Sequence, residues 1–275
     1  MRKLLAALCV VVGCFSMAGV AAITYPTNVN TLIVRTDTTA IGQKIEVPAN
    51  PTVVATITVF APGARTPVHK HPYSHYAFVL EGTLTITNMQ TGKTFDVSSG
   101  QFLSEMQDAW HYGENRGQTP VRLLIVDQLP KGVAGNVVPK DPKAGPLPYA
   151  MNVNTPVARS DTTIIGQKIA VPTNPTVVVS SSTFAPGAKT PVHEHLYPHY
   201  VYVQDGTLTI VRTETGAKFE MKPGTFFLEM IGAWHYGINN GKVPVHTLVI
   251  DQVPANVKAN HVLKDPKEEA EWRAH

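Results

Sequence analysis

The chain is written twice: residues 28–142 realign onto residues 152–266 without a gap, Asn28 falling on Asn152 and Pro142 on Pro266. Roughly 60% of the paired positions are identical, well above coincidence for a repeat of this length. A unit of about 115 residues is long enough to bury its own core. The repeat therefore predicts two tandem domains, at 23–142 and 150–266, with a leader at 1–22, a linker at 143–149 and a tail at 267–275.

Within each copy, short runs of Val, Ile, Thr, Phe and Tyr alternate with Gly, Pro, Asn and Asp. Thr52 to Phe60, His75 to Leu80, Thr83 to Asn88, Thr94 to Val97 and Val121 to Val126 read as strands, and helical periodicity is nearly absent. Many short strands joined by Pro and Gly turns predict an all-β fold, a sandwich or barrel in each half. Lys131 to Tyr149 and the stretch after Pro254 are rich in Pro, Lys and Ala, and read as linker and tail. Glu268 to Arg273 looks helical and lies outside the repeat.

Eight of the eleven histidines belong to one pattern: His69, His71, His75 and His111 recur as His193, His195, His199 and His235. In a strand, residues i and i+2 share a face, so His69 and His71 aim at one point while Lys70 faces away. The change from Lys70 to Glu194 fits an outward, unconstrained side chain. Pro72-Tyr73-Ser74 can turn the chain so that His75 returns on the next strand, and His111 must come from a distant one. Four ligands from three strands make a preorganised cage. Imidazole suits Mn, Fe, Ni, Cu or Zn rather than Ca or Mg, so one divalent transition metal per domain is expected. Four neutral imidazoles leave such an ion its full charge, which favours an anionic substrate or a chelating enolate.

Gly63-x5-His69-x-His71-x3-His75-x6-Gly82 resembles the first cupin motif, and Gly100 followed by His111-x3-Asn115 resembles the second; Gly187 to Gly206 and Gly224 to Asn239 repeat both. The resemblance implies a bicupin, two tandem jelly-roll β-barrels of the sort found in germins, oxalate decarboxylases and flavonol dioxygenases. Two positions depart from the pattern. Met106 and Asp108, or Met230 and Gly232, stand where the second motif usually has Pro and Gly. His75 and His199 stand where the first usually has Glu, which brings the chain closer to the small four-histidine cupins, some of which hold manganese and are associated with oxidative chemistry.

Glu105 and Glu229 each precede the fourth histidine by the same spacing, in the frame Glu-Met-x-x-Ala-Trp-His-Tyr-Gly-x-Asn. A carboxylate there can hydrogen-bond a ligand imidazole from outside or accept a proton from a bound substrate. The flanking aromatics Tyr73, Tyr76, Trp110 and Tyr112, with their counterparts, either line a pocket or pack. Asn115 and Asn239 are expected to hold turns. Phe78 against Tyr202, Leu80 against Gln204, Gln107 against Ile231 and Glu114 against Ile238 are the differences near the motifs that can make the two pockets unlike.

The N-terminus has Arg2 and Lys3, an apolar run from Leu4 to Val12, then small residues up to Ala22, the layout of a secretory signal. A secreted or periplasmic protein is expected; Val11-Val12-Gly13-Cys14 also resembles a lipoprotein processing box, which leaves lipid anchoring at Cys14 open. Both cysteines, Cys9 and Cys14, fall in this leader, so cleavage after Ala22 leaves no thiol chemistry. Loss of Arg2 and Lys3 takes the formal net charge from +3 to +1. With no basic run interleaved with aromatics, nucleic acid is not an expected partner. No transmembrane span is expected after leader removal, a small-molecule substrate is, and homo-oligomerisation stays open. The expected function is a metal-dependent oxidoreductase of the dioxygenase type acting on a small anionic or enolisable compound. The alternatives are a Lewis-acid isomerase or decarboxylase, or a metal- or ligand-binding cupin without catalysis.

Overall fold

The computed structural model describes residues 28–143 and 152–265. The expected leader at 1–22, residues 144–149 of the linker, the tail at 267–275 and the helical reading of Glu268 to Arg273 lie outside the described residues.

Repeat 1 forms β1 (Asn28–Thr36), β2 (Thr52–Phe60), β3 (His69–Lys70), β4 (His75–Glu81), β5 (Thr83–Asn88), β6 (Thr94–Ser98), β7 (Phe102–Ser104), β8 (His111–Glu114), β9 (Val121–Leu129) and β10 (Val138–Pro139). Repeat 2 forms β11 (Asn152–Ser160), β12 (Thr176–Phe184), β13 (His193–His195), β14 (His199–Asp205), β15 (Leu208–Arg212), β16 (Lys218–Met221), β17 (Phe226–Leu228), β18 (His235–Ile238), β19 (Val245–Val253) and β20 (His261–Leu263). Among the described residues there is no helix, and the fold is all-β, two jelly-roll barrels. No helix of the described residues is long and apolar enough to cross a membrane.

Four five-stranded sheets build the two barrels. In the first barrel β11-β2-β9-β4-β7 faces β10-β3-β8-β5-β6; in the second β1-β12-β19-β14-β17 faces β16-β15-β18-β13-β20. The first strand of each repeat therefore sits in the other repeat's barrel. β1 pairs antiparallel with β12, Asn28 opposite Phe184, and β11 pairs with β2, Asn152 opposite Phe60. The ranges 23–142 and 150–266 delimit the repeats in sequence, while the sheets exchange first strands.

Strand alternation divides the apolar residues among three cores. On β9, Val121, Leu123 and Ile125 face the barrel interior with Phe60, Val79, Leu84 and Ile86, whereas Leu124 and Val126 face outward. That outward face does not meet water. It packs with Tyr76 and Phe78 against Val177, Val179, Tyr200, Leu248 and Ile250 of the other half. Both faces of β9 and β19 are thus buried along their central runs, which explains the consecutive apolar residues Leu123 to Val126 and Leu248 to Ile250. Each buried Leu, Ile or Val here contributes about 1.5–3 kcal/mol.

At the centre of this shared core Gln128 and Gln252 exchange amide hydrogen bonds, Gln128 Nε2 to Gln252 Oε1 at 2.6 Å and Gln252 Nε2 to Gln128 Oε1 at 2.9 Å. Tyr200 Oη donates to Gln252 Oε1 at 2.8 Å, and Gln252 Nε2 also reaches Tyr76 Oη at 3.0 Å. These buried polar groups hydrogen-bond one another across the two halves, so they lock the relative register of the halves.

Glycine is demanded where the barrel turns after β4 and β14. Gly82 and Gly206 have φ of +79° and +71°, and a Cβ on Gly206 would lie 2.6 Å from the Pro244 carbonyl oxygen. The closing glycine of the first histidine motif is a steric requirement of this turn.

Candidate metal centres

The strands bring all four histidines of each repeat to one end of a barrel interior. His69 on β3 lies directly across from His111 on β8, and His193 from His235 in the same register. His71 follows β3, with Lys70 turned outward to donate to Asp108 Oδ1 at 2.8 Å. Pro72 to Ser74 turn the chain, and β4 opens on His75, whose ring stacks on that of His71 at 3.8 Å between centroids. The second barrel repeats the stack between His195 and His199 at 3.8 Å. Seven of these eight residues are buried, and His199 is nearly so.

Every Nδ1 is engaged from outside the cluster. His69 Nδ1 donates to Pro67 O at 2.8 Å, His71 Nδ1 to Asn136 O at 2.9 Å, and His111 Nδ1 to Ala109 O at 2.8 Å. His75 Nδ1 donates to Asp127 Oδ1 at 2.7 Å. In the second barrel the acceptors are Pro191 O, Asn260 O, Ala233 O and, for His199 at 2.7 Å, Asp251 Oδ1. A carbonyl or carboxylate acceptor requires Nδ1 to carry the hydrogen, so in each neutral ring Nε2 is the atom whose lone pair faces the interior.

A glutamate stands among those lone pairs. Glu105 Oε2 lies 2.9 Å from His111 Nε2 and 3.3 Å from His71 Nε2, and Oε1 lies 4.0 Å from His75 Nε2. Glu229 Oε2 lies 2.8, 3.4 and 3.5 Å from the Nε2 atoms of His195, His199 and His235. The Nε2 atoms of His71, His111 and His235 are buried without a hydrogen-bond partner. Burying several acceptors face to face is unfavourable unless a cation lies between them. His69, His71 and His111, His71, His75 and Glu105, and His193, His195, Glu229 and His235 each place one ligand atom apiece within 4.8 Å of the others. The residues present fit a divalent metal in each barrel, with a carboxylate beside the imidazoles rather than nitrogen alone.

The electrostatics agree with that clustering. Burial, reinforced by His71 and His111, drives the His69 pKa down to about 3. Burial and His199 take His195 down to about 4. Burial would also lower His75 and His199, but Asp127 and Asp251 beside them outweigh it and raise both. Burial would raise Glu105 and Glu229; the surrounding imidazoles prevail and hold both carboxyls well below the ordinary value, so they are ionised.

Several functional residues carried no motif. Asp127 and Asp251 follow the apolar runs of β9 and β19 near the strand ends, each accepting from a histidine and from Asn136 or Asn260 Nδ2 at 2.7 Å. An acid retained in both copies directly after such a run was the available signal. Asn136 and Asn260 lie in stretches that read as linker and tail, yet they belong to the site. Their side chains hold the Tyr73 and Tyr197 turns, and β10 and β20 pair with β3 and β13. These stretches dock through backbone and amide bonds, which leave no hydrophobic period.

The aromatics pack rather than line the cavities. Tyr76 and Tyr200 enter the shared core, and Tyr112 and Tyr236 lie beneath Arg65 and Lys189 at 3.5 and 3.8 Å. Asn115 holds its turn through Phe60 O, Thr119 O and Gly117 N. Asp108 adopts φ of +51° and Gly232 +61°, and their amides donate to His71 O and His195 O. The glycine usual at this place has that left-handed backbone as its reason.

A family model for the cupin domain matches residues 56–127 and again 180–251. The chain belongs to the cupin family. Both histidine motifs fall in or beside the matched segments, and two matches in one chain make it a bicupin. Among solved structures, this bicupin is similar to oxalate decarboxylase from Bacillus subtilis, at 14% identity and a TM-score of 0.57 over 90% of this chain and 82% of that one. It is similar to oxalate decarboxylase from Lactobacillus farciminis, at 14% identity and a TM-score of 0.54 over 89% and 92%. AerE from Microcystis aeruginosa matches at 14% identity and a TM-score of 0.50 over 81% and 99%. At such identities the likeness is one of fold. Comparison with curated protein sequences finds no match.

Proposed function

We propose that this bicupin is a secreted or periplasmic metal-dependent oxidoreductase of the dioxygenase type, acting on a small anionic or enolisable organic compound. The observation that carries the reading is the buried, ionised glutamate set among imidazole lone pairs at the wall of an internal cavity. His69, His71, His75 and His111, with His193, His195, His199 and His235, are the proposed ligands. A bound transition metal supplies a Lewis acid and a redox centre for substrate and dioxygen.

The chain's own residues supply orientation and proton handling. Asp127 and Asp251 fix the rings of His75 and His199 and keep Nδ1 protonated. Of the two acids lining the first cavity, Asp127 is already engaged by His75 and Asn136. Glu105 is the carboxylate left to take a proton from an enolisable carbon or hydroxyl acid, and Glu229 serves likewise in the second barrel. The apolar walls at Phe60, Leu123 and Ile125 limit competing water. The compartment rests on the signal-like residues Arg2 to Ala22.

Oxygen uptake by purified, metal-loaded protein given β-diketones, catechols, flavonols or oxalate tests the reading. Uptake tied to loss of one substrate is expected; turnover that proceeds equally well without oxygen would replace it with isomerase or decarboxylase chemistry.

A further inference from the structure

The two cages are alike, but the chambers around them are not. The first barrel encloses a cavity of about 560 Å³ and the second one of about 260 Å³. Equivalent wall positions lose apolar groups: Thr56 and Thr58 become Ser180 and Ser182, each keeping its hydroxyl and losing a methyl, and Leu123 becomes Thr247. At the mouth, Ala134 and Val137 of the first barrel are replaced by Lys258 and His261. Val137 is 60% exposed, so this side of the larger chamber's mouth presents an apolar group where the smaller one has His261. None of the differences noted beside the motifs lines either chamber; Phe78 and Tyr202, for example, pack in the shared core instead.

Both mouths are held in place by an arginine from the exchanged strand. Arg159 on β11 donates to Val133 O and Ala134 O at 2.6 and 3.1 Å, and Arg35 on β1 to Val257 O and Lys258 O at 2.5 and 3.4 Å. The mouth residues therefore stand on anchored backbone, and their chemistry is a built feature of each chamber.

We infer that the two barrels select different substrates: the second takes a small carboxylate anion, drawn and oriented by Lys258, and the first takes a larger chelator with an apolar body. The inference rests on the metal-centre reading above and assigns a substrate class to each centre. A lysine beside the smaller chamber raises the local concentration of anions, and its ammonium can donate to a carboxylate. The wide chamber offers Leu123, Ile125, Ala134 and Val137 instead, surfaces that reward apolar bulk.

Calorimetric binding tests this on full-length protein with one cage ablated at a time, His71→Ala with His111→Ala or His195→Ala with His235→Ala, and metal content measured first. Oxalate is expected to bind the protein retaining the second cage at least tenfold more tightly than the protein retaining the first, with the gap narrowing in high salt. A neutral diketone, 1-phenyl-1,3-butanedione, is expected to show the opposite order. Lys258→Ala with His261→Val, which installs the first barrel's residues, is expected to erase the oxalate preference, and Ala134→Lys with Val137→His to create one in the first barrel. Equal oxalate binding at both centres, or a preference unmoved by the mouth exchanges, overturns the inference while leaving the metal reading intact. Absence of metal from both single-cage proteins would overturn the two together, and the metal measurement separates these results.

Discussion

Asp127 Oδ1 accepts the Nδ1 proton of His75 at 2.7 Å and, on the same oxygen, an Asn136 amide proton at 2.7 Å. This carboxylate sets the tautomer of a ring that stacks on His71, and so aims Nε2 at the cage. Asp127→Asn keeps the shape and removes the charge. It is expected to weaken metal binding at the first centre by about 10- to 100-fold, read by competition with a chromophoric chelator, and Asp251→Asn should do the same at the second. Unchanged affinity would show that ring orientation comes from packing alone.

Glu105 and Glu229 can be separated from the histidines by charge. The double variant Glu105→Gln with Glu229→Gln retains amide oxygens but cannot take a proton. Turnover is expected to fall about 10²- to 10⁴-fold while the histidines still hold metal, measured as metal content beside kcat. Full activity would remove the glutamates from proton transfer.

Acid should release the metal. His75 and His199 have raised pKa values because Asp127 and Asp251 face them, so a metal must displace protons that these rings keep up to a pH above 6.5. Apparent affinity should therefore rise with pH through and beyond that value, with protons released on binding. Stability of the metal-free protein follows the opposite group. His69 and His195, lowered to about 3 and about 4, take up protons in the unfolded chain first, so their contribution is lost as pH falls from about 6.5 toward those values. Asp127, Asp251, Glu105 and Glu229, all lowered, add a loss with the same sign as pH falls through the acid range. The raised histidines oppose this only at higher pH, where their own contribution disappears. Thermal melts across pH 3–8 check the sign.

Gln128→Leu leaves the Gln252 amide without its reciprocal partner in a fully buried setting. A cost of about 1–3 kcal/mol is expected, visible as a lower Tm. Because β1 and β11 each belong to the opposite barrel, the melt should remain a single transition. Two separated transitions in the variant or the parent would mean that the barrels unfold independently.

Legibility in the sequence followed periodicity. β2, β4, β5, β6 and β9 were visible because their residues alternate or run apolar. β3 was read only through the His69-x-His71 spacing, and β10 was not read at all: two residues produce no period, and both are held by their neighbours' backbones. The histidines were legible through spacing kept in both copies. Asp127 and Asn136 were not, because a lone acid in a strand and an asparagine in a Pro- and Gly-rich stretch acquire meaning only when the chain returns them to His75 and His71.

Duplication and strand periodicity are local, linear properties, and they suffice to mark two like β-units and to group the eight imidazoles. The folded chain adds that each unit lends its first strand to the other, that Glu105 and Glu229 stand inside the cages, and that Lys258 lines the second chamber where Ala134 lines the first. These depend on contacts between residues far apart in the chain, where spacing carries no information and the path of the backbone carries all of it.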